Sequence, residues 1–264
     1  MRVNGRAIED FKRFEVLETG LAVPRAEPLY RPAVSNGIPV DDFVVDDYLV
    51  LYLPLYALKG SKFKSVDRYA EICTVVGALW RPHGRLFDGD DYATVNGLAS
   101  VLQALSTGSM EFWVRFTSVL TSQAVFSVSD SGDAGSVAIL YLHDSGPQMR
   151  NYCSEAGTVY YNSEFTPAPN ISAATWYHMV WTHDGVGPDL YINATKYDGG
   201  AVANRDKWIP DVQDIDDVSL ASDNTSGGRA LYLDGDIGEL RIYSRVLSAA
   251  EVAHNRNATI WRYQ

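Results

Sequence analysis

The sequence predicts an all-β protein, an antiparallel two-sheet sandwich with short helices and an extended N-terminal arm. Eight runs have strand character: QAVFSVSD, SVAILYLHD, QMRNYCSEA, TVYYNSEF, TWYHMVWTHD, DLYINATKY, DVSLAS and ALYLDG. Gly, Asp and Ser clusters separate them at roughly the 8 to 12 residue spacing of sandwiches. The length of 264 residues suits one large β domain of about 200 to 250 residues, with no second globular unit needed.

Residues 1–45 show no sustained period, and Pro24, Pro28, Pro32 and Pro39 interrupt them. Prolines at short intervals between small and charged residues read as an extended arm. Its spaced anchors, Leu21, Val23, Leu29, Tyr30, Val34 and Ile38, either wrap its own sandwich or lie on a neighbouring subunit. Residues 46–65 then hold a strand and a linker. In DYLVLYLPLYAL, Tyr48, Val50 and Tyr52 share one face and Leu49, Leu51 and Leu53 the other. Such a strand is buried on both sides or pairs at an edge near Pro54. Residues 59–71 are polar and basic and read as the linker itself.

The sandwich proper is expected over residues 66–264. ICTVVGALW and GRLFDGDDYATV open it. A short amphipathic helix follows, with Leu98, Val101, Leu102 and Leu105 at helical spacing and Gly108 closing it, and then the strand MEFWVRFTS. At the C-terminal end, Leu231 and Leu233 alternate with polar neighbours, as do Leu240 and Ile242, with Gly238 as a bend between. Ser248 and Glu251 have capping-box spacing, and Leu247 and Val252 that of a hydrophobic staple, so a helix should start at Ser248.

Composition excludes several function classes. A net charge of −11 argues against nucleic acid and anionic membrane as partners, because phosphate-binding surfaces need clustered Lys and Arg. Cys73 and Cys153, the two cysteines, match neither a zinc motif nor a disulfide framework, and are expected as buried free thiols. The N-terminus lacks an apolar h-region, and no stretch approaches about 18 continuous apolar residues, so neither a signal peptide nor a membrane span is expected. His83, His143, His178, His183 and His254 show no metal-binding spacing, and hydrolase and phosphate-loop motifs are absent.

A resemblance runs through four segments in order: LFDGDDYATV, SMEFWVRFTS, TWYHMVWTHDGVGPDLYINA and GDIGELRIYSRVLSAAEV. Together they resemble laminin-G-like, pentraxin-like and other concanavalin A-like jelly rolls of the lectin/glucanase superfamily. The resemblance covers roughly residues 66–264 and implies a jelly-roll sandwich. The chain departs from it in having Gly238 where many members have Asp, and INATKYDGG in place of a tight Asn-Gly hairpin.

That resemblance frames three candidate sites. DGDIGE is similar to the Glu-x-Asp-x-x-Glu strand of concanavalin A-like glucanases. Asp234 and Asp236 share one face, and Glu239 rejoins them across a glycine bulge. Retaining hydrolysis needs two carboxyls about 5 to 5.5 Å apart, and Asp234 is one methylene short, so no catalytic residues are assigned. The second candidate is a calcium site from Asp88, Asp90 and Asp91 of FDGDDY, or from Asp223 and Asn224 of LASDNTSGG. Calcium asks for about 6 to 8 oxygens from converging loops, although Asp beside Gly is equally ordinary turn chemistry. The third is an aromatic sugar-binding surface: Tyr160 and Tyr161 on one strand, Tyr152 on another, and Trp208 in NRDKWIPD as the exposed platform, or else as a loop anchor folded onto its own sandwich. Trp113, Trp176 and Trp181 lie in strand patterns and belong to the core.

The expected function is that of a non-enzymatic recognition or assembly module. An arm that orders by docking, on a chain expected to be made in the cytoplasm, would suit a structural component of a virus or phage particle, as decoration, fibre or receptor-binding protein, which meets copies of itself or other structural proteins through the arm. A free or cell-surface glycan-binding lectin-like protein is the alternative, and a divergent glucanase the third.

Overall fold

The computed structural model describes residues 43–264 apart from Ser145 and Ala201, together with three short backbone pairings within residues 1–42. Residues 1–42 and 43–264 are separate compact units. In the first, β1 (Arg2–Val3) pairs with β2 (Arg6–Ala7), β3 (Phe14–Val16) with β4 (Ala22–Pro24), and β5 (Val34–Ser35) with β6 (Ile38–Pro39). The expected extended arm is thus, where described, a series of local hairpins. Asn-Gly separates β1 from β2 and β5 from β6, the dipeptide that favours two-residue hairpin turns. Whether residues 1–42 dock on a neighbour lies outside the described residues.

The second unit is a sandwich of two eight-stranded antiparallel sheets. The first sheet runs β10 (Leu79–Arg81), β11 (Gly84–Asp88), β24 (Asp234–Tyr243), β13 (Gly108–Phe116), β18 (Trp176–His183), β19 (Pro188–Ile192) and β20 (Thr195–Asp198). The short strand β7 (Leu49–Leu53) pairs along the second half of β24. The second sheet runs β17 (Thr158–Glu164), β16 (Gln148–Glu155), β15 (Val137–His143), β14 (Gln123–Ser129), β21 (Asp217–Leu220), β12 (Tyr92–Thr94), β9 (Ile72–Val76) and β8 (Lys62–Lys64). A separate hairpin, β22 (Asp223–Thr225) and β23 (Gly228–Ala230), follows β21.

Alternation along these strands sends one set of side chains inward. Phe112, Val114, Met179, Trp181, Leu240 and Ile242 from the first sheet meet Phe126, Val128, Leu140, Met149 and Val218 from the second in one buried core. Both cysteines are buried and unpaired, and burial pushes each thiol up to about 12. Residues 46–65, expected ahead of the sandwich, are inside it, since β7 and β8 are members of its sheets. Lys62, Phe63 and Lys64 alternate out, in, out, a strand pattern hidden from the sequence reading by its brevity and charge.

Gly238 is the expected bulge: Val114 pairs with Ile237 and Trp113 with Glu239, so Gly238 has no residue opposite it. A Cβ there would lie 2.3 Å from the Tyr263 ring, which fills that space. Helix α1 (Ala99–Gln103) is shorter than its periodicity suggested, because Asn96–Leu98 forms a 3-10 turn and Gly108 already begins β13. Helix α2 (Ala249–Thr259) starts as expected. The Ser248 hydroxyl accepts from the Glu251 amide at 3.3 Å, while Glu251 Oε2 accepts from the Ser248 amide at 2.8 Å. Leu247 and Val252 are buried together with Leu49, Val180 and Tyr243.

Candidate functional site

The two sheets differ in what their outer faces carry. On the first, α2 and the C-terminal turn cover a buried ionic network. Glu111 contacts His178 Nε2 at 2.6 Å and accepts from Arg241 Nε at 3.2 Å and from Asn255 Nδ2 at 2.9 Å. Burial opposes ionisation of Glu111, but Arg241 and His178 outweigh it and hold its carboxyl below the usual range. Trp113 Nε1 donates to Thr259 Oγ1 at 2.8 Å, which ties α2 to the sheet. This network is closed to solvent.

On the second sheet the strand register lines up one row across all eight strands: Asn162, Tyr152, Ile139, Ser127, Ser219, Thr94, Thr74 and Lys62. The middle of this face is roofed by the β22–β23 hairpin and Leu231. Ser127 Oγ donates to Ser222 O at 2.9 Å, Ser129 Oγ to Asn224 O, and Leu231 packs on Ala124, Val137, Ile139 and Tyr141. Where the roof ends, a polar cluster forms around Arg229. Its guanidinium pairs with Asp217, donates to Ser219 Oγ at 2.7 Å and Ser222 Oγ at 2.9 Å, and stacks 3.8 Å above the Tyr92 ring. Asn224 Nδ2 donates to Asp217 Oδ2 at 3.0 Å. Beside them, Asp223 Oδ1 is buried without a hydrogen-bond partner. Burial, and then the Asp217 charge, push the Asp223 carboxyl up to about 6, against the pull of Arg229.

The sequence-derived candidates divide on this frame. Asp88, Asp90 and Asp91 do come together, with carboxylate oxygens within 4.8 Å of one another. Asp91 is buried, and its carboxyl is raised by that burial. Asp223 and Asn224 are not part of that group. They lie in the Arg229 cluster, where a fixed guanidinium already supplies the positive charge that a calcium ion would bring. Trp208 is not an exposed platform. At 1% exposure its indole stacks on His183 at 4.9 Å and meets Trp181 edge-on at 6.2 Å, as a loop anchor. The glycine at 108 leaves room for that ring. Tyr161 is buried in the core, and Tyr160 is half-buried as the extra residue of a bulge, with Cys153 opposite Tyr161 and Ser154 opposite Val159. Tyr152 alone of these aromatics is on the outer face of the second sheet, packed against Ile139 and Tyr141.

Two of the three DGDIGE carboxylates are engaged elsewhere. Asp236 accepts from Arg115 at 2.7 and 3.0 Å, and Glu239 is buried between Arg241 at 3.6 Å and Arg262 at 3.5 Å. Arg229, Tyr92 and Asp217 were missed in the sequence. The available signal was an Arg directly after the Gly-Gly turn of SDNTSGGR, four residues beyond a polar Asn-Thr pair.

A profile described as the concanavalin A-like lectin/glucanases superfamily matches residues 87–253. Among solved structures, the chain resembles the CBM40 of the Ruminococcus gnavus IT-sialidase bound to α2,3-sialyllactose. Identity is 20% and the TM-score 0.53, over 64% of this chain and 92% of that one. It also resembles a Trypanosoma rangeli sialidase, at 16% identity and a TM-score of 0.63, over 83% of this chain but 34% of the sialidase. A leech intramolecular trans-sialidase matches at 18% identity and a TM-score of 0.51, over 66% of this chain and 27% of that one. At these identities the likeness is one of fold. No curated protein matches in sequence. With its sandwich, register and profile match in agreement, the chain belongs to the concanavalin A-like lectin/glucanase superfamily.

Proposed function

We propose that the chain is a non-enzymatic glycan-recognition module, and that its binding face is the open part of the second sheet around Arg229 and Tyr92. The observation that carries this reading is the Tyr92–Arg229 stack, half-buried at the margin of the open face, with Thr94 and Asn224 beside it and the Ser219 hydroxyl buried beneath the guanidinium. A sugar presents flat C–H faces to an aromatic ring and hydroxyls to neighbouring polar groups, and such a cluster offers both. Family membership supports the class, and a fold neighbour that is a CBM40 bound to sialyllactose supports glycan binding. Fold alone does not fix function.

Glycoside hydrolysis would need a pair of carboxyls flanking a cleft. Asp236 and Glu239 are instead spent on Arg115, Arg241 and Arg262. The test is a glycan array followed by calorimetry with the wild-type chain, Arg229→Gln and Tyr92→Leu. Both variants should lose about tenfold or more in affinity, about 1.4 kcal/mol. Tyr92→Leu should melt close to wild type, while Arg229→Gln strands the buried Asp217 charge and should melt lower, so its affinity is read well below its own melting temperature. Unchanged affinity in both would overturn the site. Glycan turnover that disappears in Glu239→Gln would overturn the non-enzymatic reading.

A further inference from the structure

The outer face of the second sheet does not stop at Arg229 and Tyr92. From Ser219 the register steps through Thr94 and Thr74 to Lys62, and a parallel line links Ile72 with Lys64. Ser219 itself is buried under Arg229, so the open strip runs from Thr94 to Lys62, two strand spacings or about 10 Å. It is open: Ile72 is 47% and Val76 40% exposed, Tyr92, Thr74 and Thr94 are half-exposed, and both lysines point outward. The same face under the β22–β23 roof is buried at Ser127, Ser129 and Ile139.

Charge is unevenly placed along the strip. Lys62 and Lys64 form no salt bridge among the described residues. Of the carboxylates near it, Asp217 is paired with Arg229, Asp67 accepts from the amides of Tyr52, Tyr69 and Ala70, and Glu71, directly before Ile72, turns its carboxylate toward Gly97. The acidic trio of Asp88, Asp90 and Asp91 adjoins Gly77 and Tyr92, at the opposite end of β9 from Lys64. With three carboxylates at the Val76–Tyr92 end and two lysines against the carboxylate of Glu71 at the other, an anionic group would be repelled at the first and attracted toward Lys62 and Lys64.

We propose that this strip is a continuation of the glycan face and takes an acidic oligosaccharide, with a carboxylate or sulfate of the ligand seated against Lys62 and Lys64 and a sugar ring against the open edge of the Tyr92–Arg229 stack. This rests on the reading of the Arg229 face as a glycan site and adds ligand length, charge and polarity to it. Lysines on an edge strand also discourage edge-to-edge aggregation, so the test must separate binding from solubility.

The experiment measures binding of acidic oligosaccharides (tetragalacturonate, a heparin tetrasaccharide, 3′-sialyllactose) and neutral ones (cellotetraose, lactose) to the full chain and to Lys62→Gln/Lys64→Gln. Light scattering is recorded on both proteins. The proposal expects at least one acidic probe to bind, to weaken with salt, and to lose about tenfold in affinity in the double variant, with neutral binding unchanged. Preference for neutral probes, or acidic binding indifferent to the lysines, would overturn it while leaving the Arg229 site standing. Binding of no probe would overturn both. Aggregation of the double variant with intact acidic binding would assign the lysines to edge protection and reject the proposal.

Discussion

At the scale of single residues, Asp223 shows how a site can store electrostatic cost. Its folded carboxyl titrates at about 6 rather than 3.8, because burial and Asp217 disfavour its charge. A raised folded value means that the stabilisation is complete below the unfolded pKa and is lost as pH rises through the folded one. Between about pH 4 and 6 the chain should therefore lose on the order of 2 to 3 kcal/mol from this group. Asp223→Asn should flatten that slope and raise the melting temperature at pH 7.5, as thermal melts across pH would read. Trp208 makes the complementary point. NRDKWIPD looks like an exposed loop, yet the indole is buried against His183 and Trp181, because large aromatics gain most from burial. Trp208→Ala should cost about 3 to 5 kcal/mol by denaturant unfolding, without a specific loss of glycan affinity in the fraction that stays folded.

At the scale of elements, legibility followed periodicity. The strands from Gly108 to Ile192 alternate over enough residues to be read directly, and the Ser248 cap carries its own chemistry in four residues. Ser248→Ala should lower stability by about 1 kcal/mol through loss of the cap, measurable as a shift in denaturant midpoint with unchanged m-value. β8 was not legible, since three residues with two lysines show no pattern until β9 lies beside them. The outer-face row is likewise a product of register, assembled from eight strands whose order is not written in any one of them. So Asp223 and Asn224 could be picked out as polar loop residues, but their partner Arg229 and its stack on Tyr92 needed the fold. The Gly238 bulge was legible, whereas the use of Glu239 in a buried ion pair was not. Replacing one member of such a pair strands the other's charge, so Glu239→Gln should cost about 3 to 5 kcal/mol, and an activity assay on that variant must be read beside its melting curve.

At the scale of the whole molecule, the sandwich begins at Phe43. Its ring meets Tyr52 at 4.9 Å and lies under Arg241 at 4.2 Å, Val44 N donates to Asn255 Oδ1 at 2.7 Å, and Asp46 pairs with Arg245 at 2.6 Å. Deletion of residues 1–42 should leave a folded sandwich by circular dichroism. Deletion through residue 46 should lower its melting temperature by several degrees, as expected for about 1 to 2 kcal/mol of lost packing and pairing. The particle-assembly expectation depends on what residues 1–42 touch, and sizing of the same truncation beside the full chain addresses it. The central claim, that this is a glycan-binding module reading its ligand on the outer face of the second sheet, is tested most directly by a crystal structure of the chain with a glycan selected from the array. The account predicts a sugar ring against Tyr92 with a hydroxyl or acidic group within hydrogen-bond distance of Arg229. A glycan bound elsewhere, with the Tyr92–Arg229 face untouched, would contradict it.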